Sequence, residues 1–191
     1  MFEKYIKQII IAFLIVAVCF CLSFYTTLYL RKHFNTTNTK NLIINYNNSD
    51  SIKISNSLPI SNALGKKIDE SNEKQGYEEI TIKNTNNKDV KYKIYLKKEK
   101  QDIEYIDENY IKLYLTDDKD NPLSGFEKNL IPTYYSLKYL SDKPDSKLLY
   151  NGVIKANTSE KLRLRVWVAD TYAITSNKKD FSFKIYVKKG D

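Results

Sequence analysis

Residues 162–168 read LRLRVWV, and this stretch decides the fold class. Every second residue in it is a branched aliphatic, and Arg163, Arg165 and Trp167 stand between them. Successive side chains of a β-strand point to opposite faces, whereas a helix repeats every 3.6 residues. The alternation therefore predicts a β-strand with one face on a core and the other face toward water.

The same period of two recurs along the rest of the chain. It is clearest at residues 90–97, 110–116 and 181–188, with shorter candidates at 51–54, 77–83, 103–105, 134–140 and 148–156. Turn-forming residues separate these segments at 84–87, 117–122, 141–145 and 176–180. Many short strands with such turns predict an all-β chain, an antiparallel β-sandwich of jelly-roll or immunoglobulin-like topology. A short helix is expected within residues 61–71.

An uncharged apolar segment precedes these strands. Residues 9–30 (IIIAFLIVAVCFCLSFYTTLYL) contain no charge, proline or glycine. As a helix the segment would be roughly 33 Å long at about 1.5 Å per residue, enough to cross a hydrocarbon core of about 30 Å. We predict a transmembrane α-helix, and the alternative is a buried core helix. Bulky residues at 23–27, where a signal peptidase needs small ones, predict an uncleaved anchor.

The flanking charges do not orient this helix, because Lys4 and Lys7 on one side nearly balance Arg31 and Lys32 on the other. Long segments translocate largely regardless of charge, and the strands that follow are typical of a secreted domain. We therefore predict a cytoplasmic start at residues 1–8 and a single pass through the cell membrane. A polar stalk at 31–50 and an extracellular sandwich at 51–191 follow.

Composition excludes several kinds of chemistry from the sandwich. The chain has 2 Cys and 1 His, and all three precede residue 34. Thiol nucleophiles, thiolate or imidazole metal sites, disulfides and Ser-His-Asp triads are therefore excluded beyond that point. We expect no enzyme activity, no catalytic residue, no metal and no cofactor.

Two acidic stretches have alternative interpretations. Residues 117–121 (DDKDN) gather oxygen ligands but lack the spacing of a calcium loop, which favours a solvated turn over a calcium site. The run of acids at 99–108 could supply the paired carboxylates of a glycosidase. A solvated loop that balances neighbouring lysines is the favoured interpretation of that run.

Five residues form the predicted contact patch: Arg163, Arg165, Trp167, Lys184 and Tyr186. Arg, Trp and Tyr are enriched at contact hot spots. The alternative is a second buried layer in which Trp167 is covered and the arginine stems pack beside it. The net charge of +8 is spread as lysine among acids, with no Arg-rich run, so no nucleic-acid partner is expected.

Several segments together carry a family resemblance. They are residues 58–62 (LPISN) with Gly65, 80–84 (ITIKN) with Tyr92, 162–168, and 181–187 (FSFKIYV). This pattern resembles largely uncharacterised single-pass surface proteins of low-GC Gram-positive bacteria, which carry an extracellular β-sandwich. It is more remotely similar to the TasA and camelysin proteins, whose jelly-roll subunits can build fibres by strand donation. The resemblance implies a role in the envelope or matrix.

The expected function is thus that of a non-enzymatic, membrane-anchored surface protein. Its sandwich would serve protein–protein contact or envelope structure, with a protein partner or self-association through a sheet edge. An accessory subunit of a larger membrane complex and a carbohydrate-binding module with a glycan ligand are the alternatives.

Overall fold

The computed structural model describes two parts of the chain, which fall into compact units at Met1–Thr36 and Thr37–Asp191. The described residues are isolated positions between 13 and 25, and 36–39, 42–55, 57–72, 75–100, 104–127, 129–140, 143–174 and 179–190.

The predicted membrane span at 9–30 lies for the most part outside the described residues, as does the start at 1–8. Its described positions, among them Phe13, Phe20 and Tyr25, are helical and exposed. Among the residues that the structure describes, no helix combines the length and the apolar character needed to cross a membrane. The span and its orientation stay predictions.

The second unit is built from ten β-strands, one short helix and one 3-10 turn. In chain order these are β1 Thr36–Thr39, β2 Leu42–Tyr46, β3 Ser51–Ser55, α1 Asn62–Gly65, β4 Gly76–Asn84, β5 Val90–Lys98, the 3-10 turn Glu108–Tyr110, β6 Ile111–Asp117, β7 Tyr139–Leu140, β8 Lys143–Ile154, β9 Ser159–Val168 and β10 Asp180–Lys189. The expected helix within 61–71 is α1, whose first turn is capped by the Ser61 hydroxyl accepting from the Leu64 amide.

The strands form two five-stranded sheets, which confirms the prediction of an all-β sandwich. Sheet A has the order β1-β2-β4-β9-β6 and sheet B the order β3-β10-β5-β8-β7. The pairings from β2 onward are antiparallel. From β2 to β10 the chain crosses to the other sheet at each connection except the one between β7 and β8.

One continuous core lies between the sheets, and the alternating residues of each strand build it. Leu162, Leu164 and Val166 of β9 have no exposed surface, nor have Phe181 and Phe183 of β10. Burying one such side chain contributes about 1.5–3 kcal/mol. The period of two seen in the sequence is thus the pattern that holds the two sheets together.

Strand β2 corrects the predicted boundary between stalk and domain. Residues 31–50 were expected to form a polar stalk, yet Leu42, Ile44 and Tyr46 are buried in the core. Strand β2 pairs with β4 along its whole length. The sandwich therefore begins before residue 42, because these three side chains complete the core at one end of sheet A.

Two further local predictions need correction in sheet B. The expected strand at 134–140 is reduced to β7, and residues 134–136 turn so that Tyr134 is buried. Strand β8 begins at Lys143, inside the expected turn at 141–145, because its first residues pair with the end of β5. The expected strand at 103–105 falls partly outside the described residues, and Tyr105 makes an isolated bridge to Asp180.

Candidate functional site

The structure divides the predicted contact patch between two surfaces. Arg163, Arg165 and Trp167 belong to β9 and point away from the core on the outer face of sheet A. Lys184 and Tyr186 belong to β10 and point outward from sheet B. Because each sheet turns its other face to the shared core, these two surfaces lie on opposite sides of the sandwich. The five residues therefore do not form one patch.

Trp167 lies in a second buried layer on sheet A. Its side chain has no exposed surface. The segment that contains α1 covers it, held by a hydrogen bond from the Ile60 amide to the Val168 carbonyl at 3.0 Å. The covering backbone approaches so closely that a Cβ added at Gly65 would lie 2.2 Å from the indole ring. Trp167 is therefore unavailable to a partner while this layer is in place.

Arg165 connects the covering segment to the sheet. Its Nε donates to the Ile68 carbonyl at 2.8 Å, its Nη1 to the Thr116 hydroxyl at 2.9 Å, and its Nη2 to the Asp120 carboxylate. Arg163 adds an ion pair to Asp120 at 3.1 Å. The hydrogen bond from Arg165 is the main cause of the lowered pKa of Asp120. These arginines are thus engaged within the fold.

The acidic turn at 117–121 also has a structural role. The Asp117 carboxylate accepts from the backbone amides of Lys119 and Asn121 at 2.9 and 2.8 Å. Such bonds stabilise a tight turn, and Asp120 takes a left-handed φ of 63° within it. No group of three acidic, His or Cys side chains in the described part of the chain is placed to hold a metal ion.

The acidic run at 99–108 does not converge on one site. Glu104 pairs with Lys179, and Asp102 lies outside the described residues. Glu108 is held between Lys98 at 3.0 Å and Lys147 at 2.8 Å. Burial alone would raise the pKa of Glu108, but the hydrogen bonds from these two lysines outweigh it and lower the pKa. The described acids of the run therefore serve local ion pairs.

Lys147 is a buried charge that the sequence pattern did not indicate. Its side chain has no exposed surface and points between the sheets. Besides Glu108, its ammonium donates to the Tyr134 carbonyl at 2.9 Å and lies 4.2 Å from the centre of the Tyr139 ring. A buried charge is costly unless it is paired and hydrogen-bonded, and both conditions are met here. This cluster fixes the packing of the segment before β8.

The outer face of sheet B is a surface of lysine and tyrosine. The register of β5 and β10 places Lys184 opposite Lys97, Tyr186 opposite Tyr95, and Lys188 opposite Lys93. We call this surface the lysine face, and it consists of Lys91, Lys93, Lys97, Lys184 and Lys188, with Tyr95 and Tyr186 between them. Like charges directly opposite each other across an antiparallel pair are destabilising.

Opposite charges compensate this face only at one position. Lys184 pairs with Asp50 at 3.0 Å, and that hydrogen bond raises the pKa of the lysine. Within the described chain, no ion pair involves Lys91, Lys93 or Lys97. The outer face of sheet B therefore carries positive charge that the fold does not neutralise.

A groove of about 510 Å³ continues the lysine face at the end of β5. Its lining includes Lys97, Lys100, Tyr105 and Tyr186, with the carboxylates of Glu99 and Asp145 at its margin. Lys97 belongs to both the groove and the open face. The two together form one surface with basic and aromatic side chains.

The sheet edges differ in how well they are covered. The outer edge of β6 is hydrogen-bonded to the segment that follows it, with the Leu113 amide donating to Pro132 at 3.0 Å and the Tyr134 amide to Ile111 at 2.8 Å. Strand β7 is only two residues long. Within the described chain, β1 and β3 are the longer edges without a further strand beside them. An uncovered edge can accept another strand.

Comparison with known proteins adds no assignment to these surfaces. No protein-family model matches this chain, and no curated protein matches it. The resemblance to single-pass surface proteins stays a prediction. Sequence reasoning reached Lys184 and Tyr186 but missed Lys93, Tyr95 and Lys97, although the alternating lysines of VKYKIYLKK at 90–98 were the signal. Their meaning depends on the pairing of β5 with β10, which the sequence does not state.

Proposed function

We propose that this chain is a single-pass, membrane-anchored surface protein whose sandwich lies outside the cell and binds an envelope component. The uncharged segment at 9–30 supports the anchor, and the compact unit at 37–191 supports a separately folded binding domain. The lysine face of sheet B is the observation that carries the binding role.

The lysine face supports binding because it does not serve stability. On sheet A, Arg163 meets Glu79 and Asp120, so the outward charges are neutralised within the fold. On sheet B, Lys93 and Lys97 face other lysines and add repulsion. Local arrangements that oppose stability are characteristic of functional surfaces. A negatively charged partner would relieve the repulsion and gain from complementary charge.

The topology favours the jelly-roll alternative over the immunoglobulin-like one. An immunoglobulin-like sandwich contains hairpins within each sheet. Here the chain changes sheet at every connection from β2 to β10 except the β7–β8 hairpin. We propose a jelly-roll-like envelope domain on this ground.

Protease treatment of whole cells tests the location. We expect external protease to digest the 37–191 unit in intact cells while a cytoplasmic marker survives, and the chain to sediment with membranes. A version with an unrelated membrane span in place of residues 9–30 serves as the control for the anchor. It should reach the surface equally well if the span acts only as a tether. A sandwich that is digested only after lysis would contradict the proposed orientation.

Self-association through an edge is a second candidate, and the uncovered edge of β3 supports it. Replacing Lys53 by Pro removes a backbone donor from that edge, whereas the matched Lys53→Gln variant keeps it. Both variants lose the ion pair from Lys53 to Asp180 at 3.1 Å. If β3 mediates pairing, cross-linked dimers in intact membranes should disappear in Lys53→Pro and persist in Lys53→Gln. Equal cross-linking in both variants would exclude β3 as the contact.

A further inference from the structure

We propose that the lysine face and its adjoining groove bind a linear phosphodiester polymer of the cell envelope, one with a polyol rather than a nucleoside backbone. The inference deepens the proposed function and rests on it only for where the polymer is met. Its basis is the arrangement of charge, aromatic side chains and groove on the outer side of sheet B.

The charge of this surface favours a polyanion. Lys91, Lys93 and Lys97 follow one strand on one face, and no described ion pair neutralises them. The nearby carboxylates of Asp50 and Glu99 lie at one end, where Asp50 contacts Lys184 and Glu99 accepts from the Ser51 hydroxyl. The rest of the face is left positive.

The spacing of the lysines favours a linear ligand with repeated charges. Same-face residues of a strand are about 6.7 Å apart, and neighbouring strands are about 4.8 Å apart. Lys91 and Lys93 are one such step apart, and Lys97 is two steps further. From Lys97 the surface continues into the groove of about 510 Å³, which a flexible chain can enter. A planar bilayer would contact the rim of that groove and leave its interior empty.

The side-chain types favour phosphate on a polyol over other anions. All the cations of the face are lysines, which act as point charges, whereas the fork of arginine is the better match for paired carboxylate oxygens. Single-stranded nucleic acids need exposed aromatic rings for base stacking. Tyr95, at the centre of the face, is only 9% exposed. A backbone without bases can use the same surface through its phosphates and hydroxyl groups.

Binding of synthetic poly(glycerol phosphate) to the full-length protein tests the proposal. The protein is held in nanodiscs of zwitterionic lipid, and the anisotropy of a labelled polymer is followed between about 50 and about 200 mM NaCl. Lys93→Gln/Lys97→Gln should weaken binding by at least about tenfold. It should also reduce the slope of log affinity against log salt by about 1.4, which is about 0.7 for each phosphate of a flexible strand that a lysine no longer neutralises.

The matched control is Lys67→Gln/Lys83→Gln. It removes the same charge from two exposed lysines, one on the outer face of sheet A and one on the segment that covers that face. We expect its affinity to stay within about twofold of the wild type. An equal loss in both double variants would show attraction by net charge alone and would overturn the proposal. Absence of binding by the wild type would overturn it as well.

Three competing ligands complete the experiment: phosphatidylglycerol vesicles, poly-glutamate and oligo-thymidine. Weaker binding of all three than of poly(glycerol phosphate) supports the inference. Tighter binding of the vesicles, the polypeptide or the oligonucleotide would overturn it in favour of that ligand. These results do not depend on cell topology. A sandwich protected from external protease would refute the proposed orientation and leave the polymer result in place.

Discussion

The outer face of sheet A is covered and charge-balanced, whereas the outer face of sheet B is open and positive. On sheet A, Trp167 lies beneath the α1 segment and Arg165 is bonded to three separate elements. On sheet B, Lys93 and Lys97 are unpaired within the described chain and face other lysines. Outward residues thus contribute to stability on one side of the sandwich and oppose it on the other.

The largest effect is expected from the covered side. Trp167→Ala should lower the free energy of unfolding by about 3–5 kcal/mol, because it leaves a cavity where a fully buried ring was packed. Tyr186→Ala, on the open face, should lower it by less than about 1 kcal/mol. Denaturant unfolding of residues 34–191, which contain all ten strands, measures both. Similar losses in the two variants would refute the contrast between the faces.

A smaller effect is expected at the contact between α1 and the sheet. In Gly65→Ala the added Cβ would lie 2.2 Å from the indole ring, so the covering segment must shift. We expect a loss of about 1–3 kcal/mol and a red shift in the emission of Trp167, the 1 tryptophan of the chain. Gly125→Asn is the control, since a Cβ there meets nothing within 4 Å. Unchanged emission in Gly65→Ala would mean that the layer is loosely packed.

Charge neutralisation on sheet A should destabilise the protein. Asp120→Asn removes the shared partner of Arg163 and Arg165, at a cost of about 1 kcal/mol near neutral pH. The pKa of Asp120 is lowered in the folded state, so its contribution is present above its ordinary value of 3.8 and is lost as pH falls through the lowered value. The gap between wild type and variant should therefore close in acid. A gap independent of pH would contradict this account.

Charge neutralisation on sheet B should have the opposite sign and the smallest size. Lys93→Gln/Lys97→Gln removes repulsion and should raise the free energy of unfolding by about 0.5 kcal/mol at low salt. Added salt screens the wild-type repulsion, so the gain should shrink as ionic strength rises. Parallel melts at low and high salt measure it. A loss of stability in this variant would show that these lysines serve the fold.

The sequence predicted the strands well where both faces have a distinct environment. Strands β5, β6, β9 and β10 fall within a few residues of the predicted segments. Their inward residues are branched aliphatic or aromatic, so the period of two is unbroken. That local signal suffices for fold class, because alternation and turn chemistry act between near neighbours.

Long-range contacts explain the predictions that failed. Leu42, Ile44 and Tyr46 alternate correctly, but the polar residues around them indicated a stalk, and only pairing with β4 places them in the core. Because the chain changes sheet at most connections, neighbouring strands are rarely consecutive and their register cannot be read locally. Lys147 interrupts the inward pattern of β8, and its partner Glu108 is 39 residues away.

The candidate site was predictable by residue type but not by location. Arg163, Arg165 and Trp167 have the composition of a contact hot spot, yet a segment about a hundred residues earlier covers two of them. Nothing in a period of two tells which outward face another part of the chain will cover. Lys93 and Lys97 became a candidate surface once β10 was known to lie beside β5.

The buried ammonium of Lys147 gives the protein an internal reporter of its own opening. Acetylating reagents modify amines that solvent can reach, and this side chain has no exposed surface in the closed sandwich. Trypsin likewise needs an extended, accessible chain, which β8 does not offer at this position. Mass spectra of protein labelled for increasing times should therefore show modification at Lys147 only at the rate at which the two sheets separate.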